Sequence, residues 1–144
     1  EPTLPMATIS LPLRSALEML APSVVKVVVD ARGDALYFSR SPIPHLRLGA
    51  SADPRAAAEA AVARGLARKH VGLYAYRKEA LLRFASLPSS PLEEAEGLEQ
   101  LRALHHGMRI RVVPMDGEGG VAVDTPDDLE RVRALLVPKK GRTV

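Results

Sequence analysis

The sequence predicts an α/β fold: a mixed, mostly parallel sheet with flanking helices and a β-hairpin. Three observations predict it. Short β-branched and aliphatic runs alternate with longer stretches of helical composition, as in layered α/β domains. Helix starts carry capping residues followed by proline, at Ser90-Pro91 and Thr125-Pro126. One turn cluster, Asp30-Ala31-Arg32-Gly33-Asp34, joins two strand-like runs into a hairpin, which interrupts the alternation and makes the sheet mixed.

Taken in order, residues 6–13 read as a buried strand and 14–21 as a short helical turn closed by Pro22. Residues 24–29 are strongly β-branched and pair across the turn with 35–38. Ser41-Pro42-Ile43-Pro44 is extended or turned, because a residue before proline avoids the helical region. Residues 45–54 form a loop, and the alanine-rich stretch 54–69 a helix, interrupted only by Gly65. A strand over 71–76 and a helix over 78–86 follow. A helix over 91–106 stops at Gly107, 109–114 is a strand, 116–120 a glycine-rich loop and 121–123 a short strand. The last helix starts at Thr125-Pro126-Asp127-Asp128, with two acids favouring its dipole, and ends near Val137-Pro138.

The 144 residues, 47% hydrophobic and 26% charged, suit one compact domain with a real core. The chain enters the strand-like run Met6-Ala7-Thr8-Ile9-Ser10-Leu11 with no preceding helix or turn, as if in the middle of a domain. Residues 1–144 are therefore expected to be a single domain incomplete at its N-terminus, with 138–144 a flexible tail. The net charge of +3 is dispersed, and two Phe, three Tyr and no Trp offer little stacking surface, so a nucleic-acid partner is not expected. No apolar run has the roughly 18 residues of a membrane span. With no cysteine, disulfides and thiolate metal sites are excluded, which fits a cytoplasmic protein.

Several residues carry chemistry, and on residue type alone each has a plainer reading. Asp124 falls where a strand ends and a capped helix begins, a place where α/β sheets bind ligands. It serves either to hold Mg²⁺ or only to organise the turn. Arg40 and Arg47 flank the proline-stiffened loop; their guanidinium forks suit carboxylates or phosphates, or are simply exposed. His70 and Tyr74 lie on one side of a strand and present polar tips to a cleft, or pack as edge residues. His105-His106 diverge on a helix and form no metal motif. The helix 91–106 repeats Leu92, Ala95, Leu98, Leu101 and Leu104 every three residues, so any inward-facing group among Glu93, Glu94, Glu96, Glu99 and Gln100 needs a reason, which a hydroxyl-rich sugar would supply. The alternative is a solvated acidic face. Gly117-Glu118-Gly119-Gly120 lacks the lysine and hydroxyl of a phosphate loop, and no Gly-x-Ser-x-Gly nucleophile motif is present.

Four stretches, in order and at family-like spacing, resemble the CMP-Kdo synthetases, which are 3-deoxy-manno-octulosonate (Kdo) cytidylyltransferases. They are Val24-Val25-Lys26-Val27-Val28 through Ala35-Leu36-Tyr37-Phe38-Ser39-Arg40-Ser41-Pro42-Ile43-Pro44; Lys69-His70-Val71-Gly72-Leu73-Tyr74-Ala75-Tyr76-Arg77; Ser90-Pro91-Leu92-Glu93 with Leu98-Glu99-Gln100-Leu101-Arg102-Ala103-Leu104; and Val123-Asp124-Thr125-Pro126-Asp127-Asp128-Leu129-Glu130-Arg131-Val132. The resemblance covers residues 6 to 136 and implies the C-terminal half of a nucleotide-diphospho-sugar transferase-like, Rossmann-like fold. It implies transfer of CMP from CTP to Kdo with release of pyrophosphate, for lipopolysaccharide biosynthesis. It makes Asp124 a catalytic Mg²⁺ ligand, and Arg40, Arg47, His70, Tyr74, Glu99 and Gln100 sugar-binding residues. It makes 23–38 the region that builds a homodimer. The family's CTP-binding loop, cytosine pocket and second metal aspartate find no counterpart, so the 144 residues alone are expected to be inactive. Ala122 also stands where the family has glycine. A cytidylyltransferase for another acidic sugar, or a non-catalytic dimerisation fragment, are the alternatives.

Overall fold

The structure is a computed structural model that describes residues 4–47, 53–117, 129–130 and 132–134. The elements are β1 (Met6–Pro12), α1 (Ala16–Leu20), β2 (Lys26–Val29), β3 (Ala35–Ser39), α2 (Pro54–Ala63), β4 (Arg68–Tyr76), α3 (Lys78–Ser86), α4 (Pro91–Glu96), α5 (Gln100–His105) and β5 (Ile110–Pro114). Residues 129–130 and 132–134 are helical, where the last helix is expected. The expected strand 121–123, Asp124 and the tail 138–144 lie outside the described residues.

Local signals account for most boundaries. Ser15 caps α1 by accepting from Glu18 N at 3.2 Å, and Asp53 caps α2 ahead of Pro54. Ser90 and Glu93 form a reciprocal capping box at the start of α4. Asp30 Oδ1 accepts from Arg32 N at 2.8 Å and Asp34 N at 2.9 Å, and these bonds shape the hairpin turn.

Two helices end earlier than composition suggests. Gly65, at φ +61°, follows the end of α2, and Arg68 and Lys69 are drawn into β4 opposite Val27 and Lys26. The stretch 91–106 is two helices, because Gly97 turns left-handed at φ 61° and α5 restarts at Gln100. The break reverses part of the expected apolar row: Leu92 is 41% exposed while Glu93 is buried against Arg102.

The sheet order is β3-β2-β4-β1-β5. It is mixed, but the expectation of mostly parallel pairing is corrected. Among the described strands β1·β5 is parallel, while β1·β4, β2·β3 and β2·β4 are antiparallel. The reason is topological. Helical connections do join strands running in the same direction, β1 to β2 and β3 to β4, as crossovers should. Each such pair is split by one intervening antiparallel strand, β4 in the first case and β2 in the second.

The hairpin tip reaches the opposite edge of the sheet. Val112 N donates to Gly33 O at 2.9 Å, and the Asp34 carboxylate accepts from Arg111 Nε at 2.7 Å. The sheet thus curls around a core of Met6, Val27, Phe38, Leu98, Leu101, Ile110 and Val112, closed by α3 and α5. A second core, of Leu13, Ala16, Met19, Ala58 and Ala61, packs α1 on α2, with Val24 and Val28 against it.

Lys26 sits fully buried at the start of β2. Its ammonium donates to Ala21 O at 3.0 Å, to Val24 O at 2.7 Å and to Arg40 O. Burial pushes its pKa down, and the nearby Glu96 charge pulls it back up. Replacing Lys26 by methionine keeps the stem and removes the donor from three carbonyls. We expect urea unfolding to report a loss of about 3 kcal/mol; an unchanged midpoint would show that the carbonyls find other partners.

Candidate functional site

The site follows from a split in the sheet. β2 pairs with β4 only at Lys26↔Lys69 and Val27↔Arg68. Beyond His70, whose N–H donates to Val25 O at 2.8 Å, β4 has no described strand on that side. A cavity of about 650 Å³ opens there. Its walls are β4 (Lys69, His70, Val71, Gly72, Tyr74, Tyr76), the stretch Ser23, Val24 and Val25 before β2, and the α4–α5 junction from Gly97 to Gln100. Ile9, Leu11, Met115 and Asp116 complete it.

A register shift between Thr8 and Ile9 places the β4 side chains. Thr8 pairs with Tyr74 but Ile9 with Val71, so Gly72 and Leu73 bulge out of the ladder. Two extra residues preserve the alternation, and His70 and Tyr74 still share a side, with ring centroids 5.5 Å apart. Phe38 meets the His70 ring edge-on at 4.9 Å, and Tyr76 lies 6.0 Å beyond Tyr74.

Burial sets the charge state of both polar groups. It pushes the His70 pKa down to about 4, so the imidazole is neutral at pH 7. It pushes the Tyr74 phenol up, reinforced by Tyr76 and Glu99, so that group keeps its proton. The Glu99 carboxylate is exposed at the start of α5 and has no hydrogen-bond partner among the described residues. Gln100 is only 6% exposed, yet its Nε2 has no hydrogen-bond partner among the described residues. A buried amide donor without a partner costs stability until an acceptor comes within its reach.

His70, Tyr74, Glu99 and Gln100 thus come together as the sequence suggested. Arg40 stands behind the wall. Its Nε donates to Glu96 O at 2.8 Å, Nη1 to Pro22 O at 3.2 Å and Nη2 to Gly97 O at 3.4 Å. Of its five N–H groups, about two remain for a ligand. Arg47 is exposed and does not line the cavity. Asp124 lies outside the described residues. Among the described residues no three His, Asp or Glu side chains converge as a metal site.

Sequence reasoning missed Lys69, which lines the cavity and pairs with Glu18 at 3.3 Å. It also missed Lys26 and Glu96, which hold the walls. The Glu96 carboxylate accepts from Ser39 Oγ at 2.6 Å and Arg40 N at 2.9 Å. A signal for Lys26 was available: a lysine inside Val24-Val25-Lys26-Val27-Val28 conflicts with a buried strand unless its charge is satisfied.

With this geometry in view, the comparisons with known proteins are specific. The family model described as cytidylyltransferase matches residues 2–110. The chain belongs to the cytidylyltransferase family. It is 54% identical over 136 residues to a 3-deoxy-manno-octulosonate cytidylyltransferase of Syntrophotalea carbinolica, covering 94% of this chain and 52% of that protein. The corresponding protein of Geobacter sulfurreducens is 49% identical over 135 residues, covering 94% of this chain and 53% of its own. Among solved structures, a CMP:2-keto-3-deoxy-manno-octonic acid synthetase complexed with CTP superimposes with a TM-score of 0.76 at 47% identity, over 94% of this chain and 50% of the other. The chain spans about half the length of the cytidylyltransferases it matches. Among the described residues no helix is long and apolar enough to cross a membrane.

The buried His70 makes the stability of this cytidylyltransferase chain depend on pH. Its folded pKa, about 4, lies below the unfolded value near 6.5. Between these values the unfolded chain binds the extra proton, so stability is full above about pH 6.5 and falls as pH drops toward 4. The loss attributable to His70 is at most about 3 kcal/mol. Denaturant unfolding from pH 7.5 to 4.5 should show it, and His70→Gln should flatten that part of the profile. An identical slope in the variant would contradict the assignment.

Proposed function

We propose that this chain forms the sugar-recognising half of a CMP-Kdo synthetase. In that reaction the anomeric hydroxyl of Kdo attacks the α-phosphorus of CTP. The bond from that phosphorus to the bridging oxygen of pyrophosphate breaks, the hydroxyl proton is lost, and CMP-Kdo and pyrophosphate leave. The observation that carries the reading is a cavity of about 650 Å³ lined by His70, Tyr74, Glu99 and Gln100, the last with a buried Nε2 that has no hydrogen-bond partner among the described residues. A polyhydroxylated sugar supplies the acceptor it needs. The identity to Kdo cytidylyltransferases supports this choice of sugar.

In this reading Gln100 donates to a sugar oxygen, Glu99 accepts from hydroxyls at the rim, and Tyr74 donates with a phenol that burial keeps protonated. Arg40 and Arg47, which do not line the cavity, would meet the sugar carboxylate only by turning toward it, Arg40 through its uncommitted N–H groups. Asp124 would hold Mg²⁺, which neutralises triphosphate charge and acidifies the attacking hydroxyl. The described residues offer no converging ligand set beside it. CTP recognition is assigned mainly to residues beyond these 144. The hairpin of β2 and β3, with Leu36 61% exposed and Val29 37% exposed, is assigned to self-association as a homodimer.

Calorimetry with the 144-residue chain tests the sugar site. Kdo should bind, and Gln100→Leu should weaken binding about tenfold while stabilising the ligand-free protein by about 1 kcal/mol, because the orphaned donor is gone. With CTP and Mg²⁺ present the chain should release no pyrophosphate. Failure of Kdo to bind where a sialic-type acid binds would move the assignment to another acidic sugar. Unchanged Kdo affinity in Gln100→Leu would remove Gln100 from the site.

A further inference from the structure

We infer that Thr8, which does not line the cavity, is a positioning residue that fixes which nitrogen of His70 carries the proton. The inference builds on the cavity being a sugar site and adds the hydrogen-bonding polarity of one of its walls.

Thr8 is 3% exposed and sits at the register shift between β1 and β4. Three groups surround it: Leu73 O at 2.9 Å, Val71 O at 3.1 Å and His70 Nε2 at 3.0 Å. A hydroxyl carries one hydrogen and two lone pairs. Both carbonyls are acceptors only, so the hydrogen of Thr8 must point at them. Were it turned to His70 instead, two carbonyl oxygens would face the lone pairs of the hydroxyl with no proton between. His70 Nε2 must therefore carry a proton and donate it to Thr8 Oγ1.

The consequence lies on the other side of the ring. His70 is neutral, so a proton on Nε2 leaves Nδ1 with a free lone pair. No described residue hydrogen-bonds Nδ1. The ring cannot easily turn over, because Phe38 packs on it edge-on at 4.9 Å and Tyr74 at 5.5 Å. His70, which lines the cavity, thus carries an acceptor at Nδ1. A ligand hydroxyl at His70 must donate, and a ligand carboxylate or ring oxygen there is disfavoured. Thr8 also caps the carbonyls freed by the bulge, so one side chain both permits the irregular strand and sets the polarity of the imidazole.

Nitrogen NMR of the 144-residue chain labelled at histidine reads the tautomer directly. At pH 7.5 His70 should appear as a single Nε2–H tautomer with an unprotonated Nδ1. Thr8→Ser, which keeps the hydroxyl, should preserve it. Thr8→Val should give a mixture of tautomers and weaken Kdo binding about tenfold. Adding Kdo to the wild-type chain should shift the Nδ1 resonance. An Nδ1–H tautomer in the wild-type or serine variant overturns the proposal, and these two spectra decide it even if the valine variant does not fold. Kdo binding with Nδ1 unmoved also overturns it. Failure of Kdo to bind at all counts against the sugar reading, while the tautomer in the ligand-free spectra still decides the role of Thr8.

Discussion

The fold around the cavity depends on one buried ammonium. Lys26 joins carbonyls from three places: the end of α1 at Ala21, the approach to β2 at Val24, and the exit from β3 at Arg40. Charge-assisted bonds to three acceptors offset the desolvation that a lone buried lysine would suffer. The knot does not stop there. The Arg40 main chain and Ser39 hold the Glu96 carboxylate, and the Arg40 guanidinium holds the carbonyls of Glu96, Gly97 and Pro22. The segments that wall the cavity, 23–25 and 97–100, are thus tied to each other through the end of β3 rather than through the sheet ladder.

That arrangement explains how a wall made of loops can present groups at fixed positions. β2 leaves β4 after two paired positions, and the gap would collapse without another tether. Gly97 supplies the left-handed turn that lets α5 begin with Gln100 facing inward and Glu99 at the rim. Opposite them, His70 and Tyr74 share one face of β4, and the two-residue bulge between them leaves that alternation intact. Both are held neutral by burial, so these two groups can engage a ligand only by hydrogen-bond direction, whereas Lys69 and Glu99 in the same cavity carry charge.

Much of this was legible in the sequence because it is local. The hairpin is announced by its turn residues, α4 by Ser90-Pro91 with Glu93, and α3 by its composition between strand and proline. Four cavity residues, His70, Tyr74, Glu99 and Gln100, could be named from the family-like stretches and the problem of a polar group on a buried helix. What could not be read is what depends on distant pairing. Alanine propensity runs past residue 63, but pairing of Arg68 and Lys69 with β2 decides where the strand begins. An every-three apolar row looks the same on one helix as on two joined at Gly97. Strand direction needs to know which strand fills the slot between two others. The carbonyl partners that the Arg40 fork already holds, Pro22 and Gly97, are 18 and 57 residues away.

The central claim is that Gln100 is left unpartnered so that a sugar can complete it. The most direct measurement is the side-chain amide resonance of Gln100 during titration of the chain with Kdo. The account predicts a saturable shift of that Nε2 signal, following the same binding curve as the backbone amides of residues 97–100. A titration that saturates while the Gln100 amide stays in place would contradict it.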